Sequence, residues 1–175
     1  MFFEPQPLHF AGIGGIGMSG LAEIYHALGC RVTGSDVKVS AITARLEGLG
    51  IRVFEGHAAT NVPADASALI VTSALRADNP ELLEARRRGL PVVLRGELLA
   101  DLMIGRTGVA VGGSHGKTTT TSMLACIALH AELNPTVFIG TLVPFLDGSN
   151  ARLGGDLLVT ECDESDGSFL ELAPA

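Results

Sequence analysis

Cysteine is scarce in this 175-residue chain. There are three, Cys30, Cys126 and Cys162, far apart in apolar surroundings and without a CxxC pair. That argues against a zinc site and a disulfide framework, and suits a reducing, cytoplasmic compartment. Long apolar runs are missing too: none reaches the ~18–20 residues that span a bilayer. Met1-Phe2-Phe3 runs straight into Glu4 and Pro5 with no basic residues before it, so neither a membrane segment nor a signal peptide is expected. Positive charge is short as well, with 12 Lys and Arg against 19 Asp and Glu and a formal charge of −7. That is the wrong sign for a nucleic-acid binder. Any anionic ligand must be held locally, by backbone amides and a few placed cations. Apolar residues are plentiful at 47%, enough for a sizeable core, and the 22 glycines cluster at particular turns.

Short apolar runs alternate with helical stretches, the pattern of a parallel α/β sheet. Strands are expected near 7–12, 31–35, 51–54, 68–72, 91–94, 107–112, 136–139 and 156–162. Met18, Leu21, Ala22, Tyr25 and Leu28 give one helix an apolar face, and Ile42, Leu46 and Leu49 mark a second. A third is signalled at both ends. Asn79 caps it, Pro80 fits its first turn, Glu81 and Glu84 suit its positive end, and Arg86 to Arg88 suit its negative end before Gly89. A domain boundary is expected at 105–107. Residues 1–105 then form five strand–helix units. Residues 106–175 fall short of the ~100–150 residues usual for a domain, so the second domain is expected to be unfinished.

The segment LHFAGIGGIGMSGLAEI sets Gly12, Gly14 and Gly17 in a GxGxxG turn between strand and helix, with Gly15 beside them. Such a turn lets backbone amides approach a pyrophosphate at a helix N-terminus. Asp36 ends the next strand, where it would accept from a ribose hydroxyl or serve as a turn residue. Ser73, after the fourth strand, and His57, after the third, share the same carboxyl edge of the sheet, where open α/β folds bind ligands.

A second glycine turn, GVAVGGSHGKTTTTSMLA, carries the strongest signal. An apolar strand enters a loop of small residues ending in Gly116-Lys117-Thr118, and a helix with Met123, Leu124, Ile127 and Ala128 follows. Loop amides can wrap phosphate oxygens, Lys117 can reach β- and γ-phosphates, and the Thr118 hydroxyl can ligate magnesium. The common GxxxxGK[ST] loop would need glycine at 111. Here Val111 stands there and the glycines are Gly112 and Gly113, so the loop is a shortened variant. Downstream, a strand runs into Glu161, Asp163, Glu164 and Asp166. Of these, Glu161 and Asp163 are best placed to hold metal or water beside a phosphate loop.

In this order and spacing, GIGGIGMSGLAEI, TGSD, TSAL, NPEL, GSHGKTTTTSML, NARLG and ECDESDGSF resemble the amino-terminal part of the peptidoglycan amino-acid ligase family, from about residue 8 to 172. The first glycine loop favours the alanine-adding branch over the branch that recycles murein peptides. Cys162 stands where an alanine is common. The resemblance implies a Rossmann-like UDP-binding domain followed by the beginning of a P-loop ATPase domain. It also implies ATP-dependent addition of L-alanine to the lactyl carboxylate of UDP-N-acetylmuramate through an acyl phosphate, with Mg2+ as cofactor. Carried over, Gly12, Gly14, Gly15 and Gly17 would cradle the UDP diphosphate, and Asp36, His57 and Ser73 would surround the uridine. Asn150 and the DESDGSF stretch would lie near the muramyl sugar. Gly113, Ser114, His115, Gly116, Lys117, Thr118 and Thr119 would form the ATP phosphate site, with Lys117 and Glu161 catalytic and Thr118 and Glu161 ligating metal. The family's later domains have no counterpart in these residues, so this chain alone is expected not to ligate alanine. Two rival readings are a nicotinamide-dependent oxidoreductase, which leaves the GKT loop unexplained, and a non-catalytic UDP-sugar-binding module.

Overall fold

A computed structural model describes residues 5–162. The chain divides into two compact units, Met1–Arg95 and Gly96–Ala175. The division falls inside a helix, ten residues before the 105–107 expected from composition.

The first unit holds β1 (Leu8–Ala11), α1 (Ile16–Ala27), β2 (Val32–Asp36), α2 (Ala41–Gly48), β3 (Arg52–Glu55), β4 (Ala68–Val71), α3 (Pro80–Arg88), β5 (Val92–Leu94) and the start of α4 (Arg95–Met103). Its five strands are all parallel, in the order β3-β2-β1-β4-β5. The central strands β1 and β4 are buried at every residue, which is why LHFA and ALIV read as unbroken apolar runs. The edge strand β3 alternates less and stays half exposed.

Local chemistry sets the helix limits. The Ser40 hydroxyl accepts from Thr43 N while Thr43 Oγ1 accepts from Ser40 N, closing a reciprocal cap on α2. Asn79 Oδ1 accepts from the Glu81 and Leu82 amides, Pro80 opens α3, and Gly89 ends it in the left-handed region. One expectation fails. No α-helix follows β3; residues 56–67 hold only a 3-10 turn at Ala59–Asn61. That connection is short and contains Pro63, so it crosses the sheet as a loop.

The second unit continues from α4 into β6 (Thr107–Val111), α5 (Lys117–His130), β7 (Thr136–Phe138), β8 (Ala151–Arg152) and β9 (Leu157–Glu161). Its sheet order is β6-β9-β7-β8, parallel except for β8. The two-residue β8 is too short for any periodicity, and sequence reasoning missed it. Ala125 of α5 packs with Val137, Ile139, Val143, Leu146 and Val159. Met123 and Ile127, which helped mark this helix in the sequence, are instead exposed, and Thr121, Ala125 and Ala128 make its buried face. Cys30 and Cys162 are buried free thiols, while Cys126 is exposed, contrary to its apolar sequence context.

Candidate functional site

Strand order in the first unit reverses between β1 and β4, and open α/β sheets bind ligands at such a switch point, outside the carboxyl ends of the strands. The turn after β1 is tied down by its neighbour β2. Gly12 N and Ile13 N both donate to Ser35 O, at 2.8 and 2.9 Å, and Gly14 N donates to Asp36 Oδ2 at 2.8 Å. A Cβ on Gly14 would meet that same carboxylate at 2.8 Å and Thr43 Cγ2 at 3.1 Å. Position 14 is therefore glycine because Asp36 lies against it, a reason the sequence did not reveal. Gly15 caps α1 with no side chain over the helix end, which leaves a positive pole fit for an anion.

Arg95, at the end of β5, lies against Gly17, its Cδ and Cζ 3.1 and 3.3 Å from where a Cβ would stand. Sequence reasoning missed this cation beside the first turn. Its one signal was a basic residue at the carboxyl end of a strand. Ser73 is exposed in the turn after β4.

Behind His57 lies a polar cluster that sequence reasoning also missed. Glu81 has no solvent exposure. Its Oε2 accepts from Ser35 Oγ at 2.6 Å and lies 3.2 Å from His57 Nδ1, while its Oε1 accepts from Asn61 Nδ2 at 2.9 Å. His9 Nε2 stands 3.8 Å from Oε1, with its Nδ1 2.8 Å from Thr33 Oγ1. Burial works against the Glu81 charge, but the His9 ring nearby and hydrogen bonds from Ser35 and Asn61 outweigh it and bring its carboxyl down to about 2. In sequence Glu81 reads as an ordinary first-turn acid, which is why it escaped notice.

The second turn is built in the second unit. Gly116 caps α5 in the left-handed region (φ 79°) without a side-chain hydrogen bond, so the helix start again offers bare amides. Lys117 Nζ folds back to donate to Gly113 O at 2.7 Å. Thr118 Oγ1 donates to Glu161 Oε2 at 2.8 Å, joining residues 43 apart. The other carboxylate oxygen, Oε1, accepts from Gly140 N. A Cβ at position 140 would run into that carboxyl group, 3.0 Å from its Cδ even before its oxygen is counted. Gly140 thus admits Glu161 to the site, a role sequence reasoning missed. Ser114, His115 and Thr119 are exposed around the loop. Alongside, Thr118, Thr119, Ser122, Met123, Cys126 and Thr141 line an open groove of about 430 Å³.

Among the described residues no three His, Cys, Asp or Glu gather as a metal cluster. The Thr118 hydroxyl and Glu161 carboxylate do form a hard-oxygen pair, the donor set that fits Mg2+ held mainly by substrate phosphates. Asn150 is fully buried, its Nδ2 donating to Ile139 O at 2.8 Å, so its amide braces β7 against β8. Asp163, Glu164, Asp166 and the rest of DESDGSF lie outside the described residues.

Two glycine turns at strand–helix junctions, one of them bearing the Lys and Thr of a phosphate loop, define a nucleotide-binding α/β protein. Residues 7–107 match the model of the Mur ligase family, catalytic domain, and the chain belongs to that family. It is 62% identical over 175 residues to the UDP-N-acetylmuramate–L-alanine ligase of Solibacter usitatus, covering 99% of this chain and 37% of the relative. The corresponding ligase of Acidobacterium capsulatum is 56% identical, with 99% and 38% covered. The crystal structure of the UDP-N-acetylmuramate–alanine ligase of Thermotoga maritima superposes with a TM-score of 0.91 at 39% identity, covering 97% of this chain and 40% of that one. A murein peptide ligase from Psychrobacter arcticus gives 0.88 at 28% identity, over 97% and 41%. The chain thus spans well under half the length of these relatives. No helix among the described residues is long and apolar enough to cross a membrane.

Proposed function

We propose that this chain supplies the UDP-sugar site and the ATP phosphate site of a cytoplasmic ligase that joins L-alanine to UDP-N-acetylmuramate. The observation that carries the reading is the Thr118–Glu161 pair at the start of α5, with Lys117 beside it. A glycine turn for structure alone needs neither the cation nor the carboxylate, and a nicotinamide-dependent oxidoreductase has no use for them. The relatives' identity supports the choice of substrates.

In this reading the turn of Gly12, Gly14, Gly15 and Gly17 brings the UDP diphosphate against the α1 pole, with Arg95 as its cation, and Asp36, His57 and Ser73 surround the uridine. Gly113, Ser114, His115, Gly116 and Thr119 wrap the ATP phosphates. Lys117 leaves Gly113 O to meet the β- and γ-phosphates. The lactyl carboxylate takes the γ-phosphoryl group, and the alanine amine then displaces phosphate from the acyl phosphate. Negative charge gathers between two anions in the first step, and the Lys117 cation, once swung onto the phosphates, stabilises it. Thr118 and Glu161 would hold Mg2+, whose chemistry is to neutralise phosphate charge. Gly140 keeps the Glu161 carboxylate aimed at that point.

The test is phosphate release with ATP, magnesium, UDP-N-acetylmuramate and L-alanine, in a protein carrying this chain with the remaining length of its relatives. Release that depends on L-alanine supports the reading. Release that instead requires a murein tripeptide would assign the chain to the recycling branch.

A further inference from the structure

The hydrogen-bond geometry behind His57 fixes which nitrogen of that ring carries its proton. Ser35 has one hydroxyl proton, and the 2.6 Å contact directs it to Glu81 Oε2. Ser35 Oγ can then only accept at its second contact, 2.9 Å from His57 Nδ1. The Glu81 oxygen 3.2 Å from the same nitrogen is a bare carboxylate, able only to accept. Two acceptors converge on His57 Nδ1, so Nδ1 carries the hydrogen. Among the described residues nothing hydrogen-bonds Nε2, and the His57 side chain retains 18% exposure. Neutral His57 thus presents a lone pair at Nε2.

We propose that Glu81 is a positioning residue that holds His57 as the Nδ1–H tautomer, so that Nε2 accepts a hydrogen bond from the nucleoside of the bound nucleotide. The inference rests on the proposed reading of the first turn as a UDP site. Ser35 links the two: its carbonyl anchors Gly12 and Ile13 of the glycine turn, and its hydroxyl anchors Glu81 and His57. The groups facing the cluster come from every neighbouring element: His9 of β1, Ser35 of β2, Asn61 of the 3-10 turn and Glu81 of α3. Nucleoside donors of the required chemistry are the uracil imide N–H and the ribose hydroxyls. A cytosine ring offers a lone pair at the position of that imide and would face Nε2 acceptor to acceptor.

Imidazole ¹⁵N spectra of the ligand-free chain at about pH 8.5, above the ordinary histidine range, read the tautomer without any variant. The expected result is a protonated Nδ1 and a bare Nε2 on His57; an Nε2–H tautomer overturns the proposal. Calorimetry with UDP supplies the second arm. Glu81→Leu and His57→Phe should each weaken UDP about tenfold, the effect of losing one well-placed polar contact, and the double variant should be no weaker than His57→Phe. Glu81→Gln, which keeps one acceptor oxygen, should recover part of the loss. Additive losses would mean that Glu81 acts apart from His57, and would overturn the proposal.

Comparing UDP with CDP, 2′-deoxy-UDP and 3′-deoxy-UDP identifies the donor, because the analogue lacking it loses affinity in the wild type and not in His57→Phe. If none does, the proposal fails while UDP binding at the glycine turn stands. If the wild type binds no UDP at all, the reading of the site fails, whatever the tautomer.

Discussion

The two glycine turns solve one problem in opposite ways. At each, a glycine amide holds a carboxylate: Gly14 N, inside the first turn, holds Asp36, and Gly140 N, from the segment after β7, holds Glu161 beside the second. In the first turn the carboxylate shapes the loop itself, and Ser35 O fixes two further amides. In the second it reaches outward, its other oxygen engaging Thr118, while Lys117 closes on Gly113 O. The first turn is a preformed backbone cradle. The second ties its side chains down within the protein, Lys117 on Gly113 O and Thr118 on Glu161. Substitutions at the first should therefore act through shape and affinity, and at the second through charge and turnover.

The largest expected effect tests the second turn. Lys117→Ala removes the cation proposed to meet phosphate, and turnover in the assembled ligase should fall at least ~10²-fold, about 3 kcal/mol of transition-state stabilisation. UDP binding should not change, because the first turn contains no part of that loop. A fall in UDP affinity of the same size would break the division of labour between the turns.

Next comes the acid behaviour of the first unit. The Glu81 carboxyl is brought from 4.5 to about 2 by its partners, so the folded state favours its charged form. Its contribution is complete above about pH 4.5 and is lost as pH falls toward 2. A shift of this size corresponds to about 3 kcal/mol. Urea midpoints at about pH 6, 4 and 3 should fall more steeply for the wild type than for Glu81→Gln. Parallel slopes would show that Glu81 is not held as a carboxylate.

A matched pair sharpens the contrast further. Gly14→Ala sets a methyl against Asp36 and should cost about 1–2 kcal/mol of stability, in the usual range for breaking one buried polar contact, together with UDP affinity. Gly140→Ala displaces Glu161 instead and should lower turnover and magnesium affinity while sparing UDP. Isothermal titration with each ligand separates the two outcomes.

These contrasts also explain what the sequence made legible. All eight expected strands are present because each is an apolar run bounded by turn residues, and the caps of α3 follow from Asn79, Pro80 and Gly89 acting locally. The Thr118–Glu161 meeting was foreseeable because a strand ending in acids beside a GKT loop has one sensible use. The roles of Glu81, Arg95 and Gly140 arise from contacts between distant segments, and each residue type has a commonplace local explanation. The helix expected after β3 failed for the converse reason: a count of strand–helix units imposed regularity on a short, proline-containing connection. Asn150, which the resemblance placed near the muramyl sugar, is buried completely by tertiary packing that nothing in NARLG signals.

The smallest effect asks how rigid the frame beneath the first turn is. Asn79 Oδ1 accepts from the amides of Glu81 and Leu82, at 2.9 and 3.2 Å, and Asn79 is itself buried. Replacing it with alanine strands two amides that helix α3 cannot satisfy internally, which costs about 1 kcal/mol. The Glu81 side chain is held independently by Ser35, Asn61 and His57, three partners outside α3. Those bonds should keep the carboxylate in place after the cap is lost. Asn79→Ala should therefore lower the urea midpoint of the first unit while leaving UDP affinity and the His57 tautomer unchanged. A UDP affinity that falls in proportion to stability would mean that the cradle depends on the helix start, and that the first turn is less preformed than its hydrogen bonds indicate.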